Sequence, residues 1–264
     1  MALIRLDHYS ESVKMNLPLN IILPEPAEMK NCPMSECKVL YLLHGLSDDA
    51  SAWQRFTSIE LYTRKYGLVV IMPSAGRSFY TDQSNGQCYF TYLVDELPEY
   101  LNAVFNLQPK PEKTLIAGLS MGGYGAFKAA LLRPELYHAA GSFSGPLMLG
   151  LLSDVPLEEG LKIEFTSLFG DLNKIAGREH DPITWLDHAG KGVKKLPRLY
   201  ASCGSEDELF GANLLFRAAC QKRGIPLEFH QGKGKHDWYF WDSQIQVFLE
   251  MMLGEEPESE SKNV

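Results

Sequence analysis

The sequence predicts an α/β fold with a mostly parallel central sheet, helices on both faces and an N-terminal antiparallel strand pair. Three observations predict it. Short continuous apolar runs recur along the 264 residues, as in strands that are buried on both faces. Amphipathic helical patterns separate these runs, which is the order of a parallel sheet with helical crossovers. No segment repeats at a fixed period, which argues against a repeat array.

The sequence predicts the following strands, in chain order. Residues 2–8 and 14–23 alternate apolar and polar side chains, and they predict the antiparallel pair. Residues 24–37 are rich in Pro and Glu and predict a loop. Six continuous apolar runs predict the remaining strands, over residues 38–43, 68–72, 114–118, 139–143, 198–203 and 227–230.

The helical patterns stand between these strands. They cover residues 90–105, 120–132, 207–223 and 237–253. Residues 145–195 lack strand signals, and we expect them to form an insertion over the carboxyl edge of the sheet, where open α/β sheets bind ligands. We therefore expect one domain over residues 1–253 and an acidic, disordered tail over residues 254–264.

Composition excludes several classes of function. The net charge is −8 and no basic stripe is present, so nucleic acid is not an expected partner. No apolar run approaches the roughly 18 residues of a membrane span, so no membrane association is expected. The first residues lack the pattern of a secretory signal, and we expect a cytoplasmic location. The five cysteines are irregularly spaced, so we expect reduced thiols and neither a metal nor a cofactor.

Ser120 is the candidate nucleophile, in the run Gly118-Leu119-Ser120-Met121-Gly122. The Gly-x-Ser-x-Gly pattern alone is weak evidence, but here it follows an apolar strand and opens an Ala-rich helix, as in a nucleophile elbow. The glycines permit a sharp turn, and the helix start points the Met121 N–H toward a developing oxyanion. The alternative is a turn of small residues that only lets the helix pack on the strand.

A serine hydroxyl is a weak nucleophile that needs a base and an acid to orient the base. His236 lies in a loop between the last strand and the last helix, where such a base is expected, and His230 at the end of that strand is its rival. Asp207 follows the penultimate strand and is the favoured acid, although it could instead cap the next helix. Its neighbours Glu206 and Glu208 are the other acidic residues on that loop.

The loop after the first central strand, His44-Gly45-Leu46-Ser47, is expected to supply the second oxyanion donor. Gly45 permits the tight bend, the Leu46 N–H is the candidate donor, and His44 is expected to form structural hydrogen bonds. Aromatic residues are candidates for substrate contacts, with a place in the core as the alternative for each. They are Trp53, Tyr80, Trp185 and Trp238.

Seven stretches spread over nearly the whole chain carry a family resemblance. They are residues 39–46, 70–73, 79–82, 96–98, 116–125, 142–145 and 236–241. Together they resemble the esterase D family of α/β hydrolases, which includes S-formylglutathione hydrolases, short-chain carboxylesterases and mycolyltransferases. The sequence is most similar to bacterial tributyrin esterases within it. The stretch Ile-Ala-Gly-Leu-Ser-Met-Gly-Gly-Tyr-Gly, residues 116–125, is the most specific of the seven.

The resemblance implies an α/β-hydrolase fold in which Ser120, Asp207 and His236 form a triad, with the Leu46 and Met121 N–H groups as the oxyanion hole. It implies a serine carboxylesterase that hydrolyses short-chain acyl esters through an acyl-enzyme, without a cofactor or metal. The expected partner is a small-molecule ester, with acetyl or feruloyl esters of sugars among the candidates. Members of the family often associate, so a homo-oligomer is a further candidate.

Alternatives remain open on the same triad. A thioesterase would act on S-acylglutathione, and an acyltransferase would prefer an alcohol acceptor to water. S-formylglutathione hydrolases carry Ser-Gly-Leu-Thr-Cys where this chain has His44-Gly45-Leu46-Ser47-Asp48, which makes the glutathione thioester less favoured. A binding protein on the same fold is the alternative without catalysis.

Overall fold

The computed structural model describes residues 1–29, 32–189 and 195–254. Within these residues the strands are β1 Ala2–Ser10, β2 Met15–Leu23, β3 Lys38–Leu43, β4 Leu68–Pro73, β5 Thr114–Leu119, β6 Ala139–Phe143, β7 Arg198–Gly204 and β8 Glu228–Gly232. They form one sheet in the order β1-β2-β4-β3-β5-β6-β7-β8. β1 pairs antiparallel with β2, and β2 with β4. The strands from β4 to β8 in this order run parallel.

The helices alternate with the strands. They are α1 Ala52–Phe56, α2 Ile59–Arg64, α3 Tyr89–Thr91, α4 Leu97–Phe105, α5 Met121–Leu132, α6 Glu159–Phe169, α7 Pro182–Ala189, α8 Phe210–Lys222 and α9 Trp238–Leu253. A π-helical turn, Tyr92–Glu96, joins α3 to α4. Pro98, the second residue after this turn, has no N–H to donate to the Val94 carbonyl, so the ordinary α-helical bond is lost at this point. The helix predicted over residues 90–105 is therefore interrupted.

Two hydrophobic clusters cover the two faces of the sheet. On β3, Tyr41 faces the first cluster and Leu42 the second, because successive side chains of a strand point to opposite faces. Phe127 of α5 belongs to the first cluster and Phe248 of α9 to the second. The mostly parallel sheet, the helices on both faces and the N-terminal antiparallel pair confirm the predicted fold class.

The described part of the predicted insertion, residues 145–189, packs beside α5 and the loop that follows β4. The Tyr124 hydroxyl donates to the His180 carbonyl at 2.9 Å, and the Phe79 ring meets those of Phe165 and Phe169 edge to face. Residues 190–194 lie outside the described residues, as do residues 255–264 of the tail predicted over residues 254–264. In the described part of the chain, no helix has the length and apolar character needed to cross a membrane.

Candidate active site

Ser120 lies at the turn between β5 and α5, at the carboxyl edge of the sheet. Its backbone has φ of 48° and ψ of −121°, a combination that side-chain-bearing residues rarely adopt. Hydrogen bonds on both sides hold it there. The Ser120 N–H donates to the Phe143 carbonyl at 2.8 Å, and the Ser120 carbonyl accepts the Tyr124 N–H at 3.1 Å. The turn is therefore fixed in the geometry that the predicted elbow requires.

The two glycines of the motif allow the close approach of α5 to the sheet. A Cβ atom on Gly118 would lie 2.5 Å from the Gly122 carbonyl carbon. A Cβ atom on Gly122 would lie 2.5 Å from the Leu43 carbonyl oxygen at the end of β3. Both clashes would be with backbone, which cannot rotate away as a side chain does. A larger residue at either position would push α5, and Ser120 with it, away from the sheet.

The structure brings Ser120, His236 and Asp207 into one hydrogen-bonded chain. His236 Nε2 lies 3.1 Å from Ser120 Oγ. His236 Nδ1 lies 3.0 Å from Oδ2 and 3.2 Å from Oδ1 of Asp207. Neutral imidazole carries one N–H, and a carboxylate can only accept. Nδ1 is therefore the donor to Asp207, and Nε2 is free to accept the Ser120 hydroxyl proton.

The alternative candidates for the base and the acid lie outside this hydrogen-bonded chain. His230 is exposed on β8, and its ring packs against Tyr200. Glu206 and Glu208 are exposed on the loop that carries Asp207. Only Asp207 among these three acids is buried, with 5% of its surface exposed. Burial thus separates the acid that contacts the imidazole from its neighbours in sequence.

Asp207 is held in its charged form. Burial raises the pKa of its carboxyl, but hydrogen bonds from His236, the Leu209 N–H and the Ser144 hydroxyl outweigh burial, so the pKa lies below its ordinary value. The Leu209 N–H donates to Oδ1 at 2.8 Å. This bond closes a turn just before α8, whose N-cap is Leu209 and has no side-chain capping bond, so the alternative role of Asp207 as the helix cap is not observed.

The loops that carry the acid and the base are joined through their backbones. The Ser205 N–H donates to the Gly232 carbonyl at 2.8 Å, and the Glu206 N–H donates to the Gly234 carbonyl at 2.9 Å. Asp237, next to His236, caps α9 by accepting the Phe240 N–H at 3.1 Å. The position of the imidazole relative to the carboxylate is thus fixed by main-chain contacts as well as by the side chains.

Ser144 and Trp241 support this chain, and no sequence pattern predicts that role. Trp241 Nε1–H donates to Ser144 Oγ at 3.1 Å. Because the indole is only a donor, Ser144 Oγ accepts there, and its own proton stays available to the neighbouring Asp207, whose pKa the Ser144 hydroxyl lowers. The Trp241 ring also meets the His236 ring edge to face, at 5.0 Å between centroids. The one available signal was that Ser144 directly follows a predicted strand at the same edge of the sheet.

The loop after β3 lies against Ser120. A Cβ atom on Gly45 would lie 3.7 Å from Ser120 Cβ, so the backbone that leads to Leu46 passes beside the serine. Met121 is the first residue of α5, and the first N–H groups of a helix have no partner within the helix. The Leu46 carbonyl accepts from the Arg77 guanidinium at 3.3 Å. The loop and the helix start flank the serine, as an oxyanion hole requires.

His44 holds the loop after β3 in place through hydrogen bonds. Its Nδ1–H donates to the Gly45 carbonyl at 2.7 Å, and its Nε2 accepts the Ala75 N–H at 2.9 Å. Complete burial lowers the pKa of His44 to about 4, so the imidazole is neutral at neutral pH. Its carbonyl accepts the Tyr80 hydroxyl at 3.1 Å. These contacts are the structural hydrogen bonds expected of His44.

The four candidate aromatic residues occupy different environments. Trp53, Tyr80 and Trp185 are each 1% exposed and packed inside the protein. Trp53 Nε1–H donates to the Leu43 carbonyl at 2.9 Å, and Trp185 Nε1–H to the Glu179 carbonyl at 2.7 Å. Trp238 is only half-buried, and its ring stacks on that of Phe56. Their role in substrate binding stays a prediction, and Trp238 is the one with an accessible ring.

A further carboxylate lies at the same loop. Asp48 Oδ2 is 3.1 Å from the position that a Cβ atom on Gly45 would take, and that position is 3.7 Å from Ser120 Cβ, so the carboxylate lies near the part of the loop that passes the serine. Burial raises the pKa of the Asp48 carboxyl. Among the residues that the structure describes, no cluster of three or more His, Cys, Asp and Glu side chains is arranged to hold a metal.

Comparison with known proteins identifies a family and several similar proteins. The sequence pattern of the Esterase family matches residues 10–251. An acetyl esterase of Caldicellulosiruptor saccharolyticus is 30% identical over 261 residues, covering 96% of this chain and 98% of the relative. FphF, a fluorophosphonate-binding serine hydrolase of Staphylococcus aureus, superposes with a TM-score of 0.87 at 34% identity, over 96% of this chain and 99% of the other.

A second solved structure is similar to the same extent. The S-formylglutathione hydrolase FrmB of Staphylococcus aureus superposes with a TM-score of 0.85 at 34% identity, over 96% of this chain and 99% of the other. The likeness extends over nearly the full length of each protein, and it confirms the α/β-hydrolase fold and the resemblance to the esterase D family.

Proposed function

The chain belongs to the Esterase family and is a carboxylic ester hydrolase, and from this premise we propose that it is a serine carboxylesterase acting on short-chain acyl esters through an acyl-enzyme on Ser120. The observation that carries the proposal is the hydrogen-bonded chain from Ser120 Oγ through His236 to Asp207. The 30% identity to an acetyl esterase supports acetyl esters as substrates. Esters of sugars and of glycerol, tributyrin included, are the candidate natural substrates.

In the proposed mechanism His236 Nε2 takes the Ser120 proton as Oγ attacks the ester carbonyl. Asp207 holds the imidazole by its Nδ1–H and stabilises the imidazolium that forms. The Leu46 and Met121 N–H groups donate to the oxyanion of the tetrahedral intermediate. The imidazolium then protonates the alcohol as it leaves, and the acyl group stays on Oγ. Water attacks the acyl-enzyme, again with His236 as the base, and releases the carboxylic acid.

The experiment is a turnover profile with p-nitrophenyl esters of increasing acyl length, in wild type and in Ser120→Ala. We expect the highest kcat/KM for the acetyl to butyryl esters. Ser120→Ala should lower kcat by several orders of magnitude, because it removes the attacking atom. Ser84→Ala, at an exposed serine far along the chain, is the matched control and should keep full activity. Turnover close to wild type in Ser120→Ala would refute the mechanism.

A thioesterase acting on S-formylglutathione is the second candidate, because an S-formylglutathione hydrolase is 34% identical over nearly the whole chain. Asp48 argues against it, since a carboxylate beside the serine repels an anionic substrate such as glutathione. In wild type the kcat/KM for p-nitrophenyl acetate should therefore exceed the kcat/KM for S-formylglutathione. Asp48→Asn should raise the kcat/KM for S-formylglutathione selectively. A higher kcat/KM for the thioester in wild type would support the second candidate instead.

An acyltransferase differs only in the acceptor of the acyl group. With p-nitrophenyl acetate and an added alcohol such as glycerol, the proposed hydrolase should release mainly acetate. Predominant transfer to the alcohol at millimolar concentration would identify an acyltransferase. The same assay run across protein concentrations also reports whether activity depends on a homo-oligomer.

A further inference from the structure

A cavity of about 270 Å³ lies at the amino edge of the sheet, away from Ser120. Thr114 at the start of β5 lines it, whereas Ser120 follows the carboxyl end of the same strand. Its walls are mainly apolar and come from β3, from the π-helical turn with α4, and from the segments around β5 and β6. They include Val94, Pro98, Leu107 and Leu136.

Two tyrosines line this cavity, and their hydroxyl groups have no partner among the residues that the structure describes. Tyr41 is 3% exposed and Tyr137 is 6% exposed. Within the described residues neither hydroxyl takes part in a hydrogen bond, and neither oxygen is among the unpaired side-chain atoms that solvent cannot reach, so both hydroxyls open into the cavity. Burial raises the pKa of both phenols, so each keeps its proton and can both donate and accept. Two hydroxyls that have no partner in the described residues and open into one apolar cavity can both be satisfied by a ligand with a single hydroxyl group.

The charge of the lining selects the ligand. One carboxylate, the exposed Glu99, stands among the lining residues, and they contain no Lys, Arg or His. A carboxylate ligand would therefore meet repulsion and no compensating cation, whereas a neutral hydroxyl or carbonyl group would satisfy the phenols. The volume lies just below the roughly 300–1,000 Å³ of typical ligand pockets, which restricts the ligand to a small molecule.

We propose that this cavity is a second binding site, separate from Ser120, for a small neutral alcohol with an apolar body, held by the hydroxyls of Tyr41 and Tyr137. The alcohol O–H donates to one phenol and accepts from the other, and its body packs against the apolar walls. Catalysis is not required for this binding, so the site is testable whether or not Ser120 is the nucleophile.

The test is ligand-observed NMR on the full chain with three probes of one shape: benzyl alcohol, toluene and benzoate. Wild type should bind benzyl alcohol in the millimolar range and benzoate at least tenfold more weakly. The double variant Tyr41→Phe/Tyr137→Phe should weaken benzyl alcohol binding at least fivefold and leave toluene binding unchanged, because only the hydroxyls are lost. Tyr9→Phe, at a tyrosine that is 53% exposed, is the matched control and should bind as wild type does.

A crystal of wild type soaked in benzyl alcohol locates the site. We expect the ring between the apolar walls and the hydroxyl within hydrogen-bond distance of both phenols. Water alone in the cavity, benzoate binding as tight as that of benzyl alcohol, or an unchanged affinity in the double variant would each overturn the proposal. Should the double variant fail to fold, the two single variants carry the same comparison, since each removes one hydroxyl.

Discussion

Substitution of Asp207 by Asn removes one negative charge and little volume, and its effect can be worked out from the structure. The carboxylate lies 3.0 Å from His236 Nδ1 and is buried. In the proposed mechanism the imidazole becomes positive as Ser120 attacks. At an effective dielectric constant of about 20, two unit charges at that distance attract by about 5.5 kcal/mol. Losing this stabilisation should lower kcat by about 10⁴-fold, since each factor of ten corresponds to about 1.4 kcal/mol.

The assay is the steady-state hydrolysis of p-nitrophenyl acetate near pH 7.5. There the wild-type carboxylate is ionised, because the pKa of Asp207 lies below its ordinary value. Glu208→Gln removes the same charge one residue along the loop, at an exposed position, and should change kcat less than twofold because solvent screens it. A loss below tenfold in Asp207→Asn, or an equal loss in Glu208→Gln, would refute the reasoning. A thermal melt of each variant checks that the fold is retained.

Three further predictions concern the residues around the triad. The folded protein keeps His44 neutral down to about pH 4, whereas the unfolded chain protonates it near pH 6.5. Between these two pH values the unfolded state therefore binds more protons than the folded state. The free energy of unfolding should then fall by about 3 kcal/mol as the pH drops from 6.5 to 4. His44→Gln should remove that fall in urea unfolding across pH 4 to 7, and the same pH dependence in both proteins would contradict it. Ser144→Ala leaves the Trp241 N–H without its acceptor and removes the Ser144 hydroxyl that helps to lower the pKa of Asp207, so we expect a loss of about 1–3 kcal/mol in unfolding free energy and an acid limb of kcat moved to higher pH. An unmoved acid limb would count against the role. Gly122→Ala puts a Cβ 2.5 Å from the Leu43 carbonyl oxygen and should cost about 3 kcal/mol or more, while Gly160→Ala, which meets nothing within 4 Å, should be neutral or stabilising in the same thermal melts.

The sequence predicts the long elements and their order because burial leaves a clear pattern. β5 is buried throughout, and its apolar run coincides with the strand to within one residue. α1 and α2 are not predicted, since helices of five and six residues are too short to repeat the helical period. The interruption at the π-helical turn depends on one proline in an otherwise regular pattern.

At the candidate site, too, some residues can be predicted from the sequence and others cannot. Ser120, Asp207 and His236 can be named from the sequence because each follows a strand in a fixed order along the chain. Ser144 cannot, because its contact with Asp207 depends on how two neighbouring strands place their ends. Residue type alone does not decide between core and pocket for an aromatic side chain. For Trp53 the burial and the hydrogen bond to Leu43 are visible only in three dimensions.

The most direct test of the central claim is to identify the residue that a fluorophosphonate labels, by peptide mass spectrometry on wild type and on Ser120→Ala. We expect one adduct per chain, on the peptide that carries Ser120, and no adduct in Ser120→Ala. Labelling should parallel the loss of ester hydrolysis, because the reagent and the substrate meet the same activated Oγ. An adduct on another residue, or loss of activity without labelling of Ser120, would contradict the account.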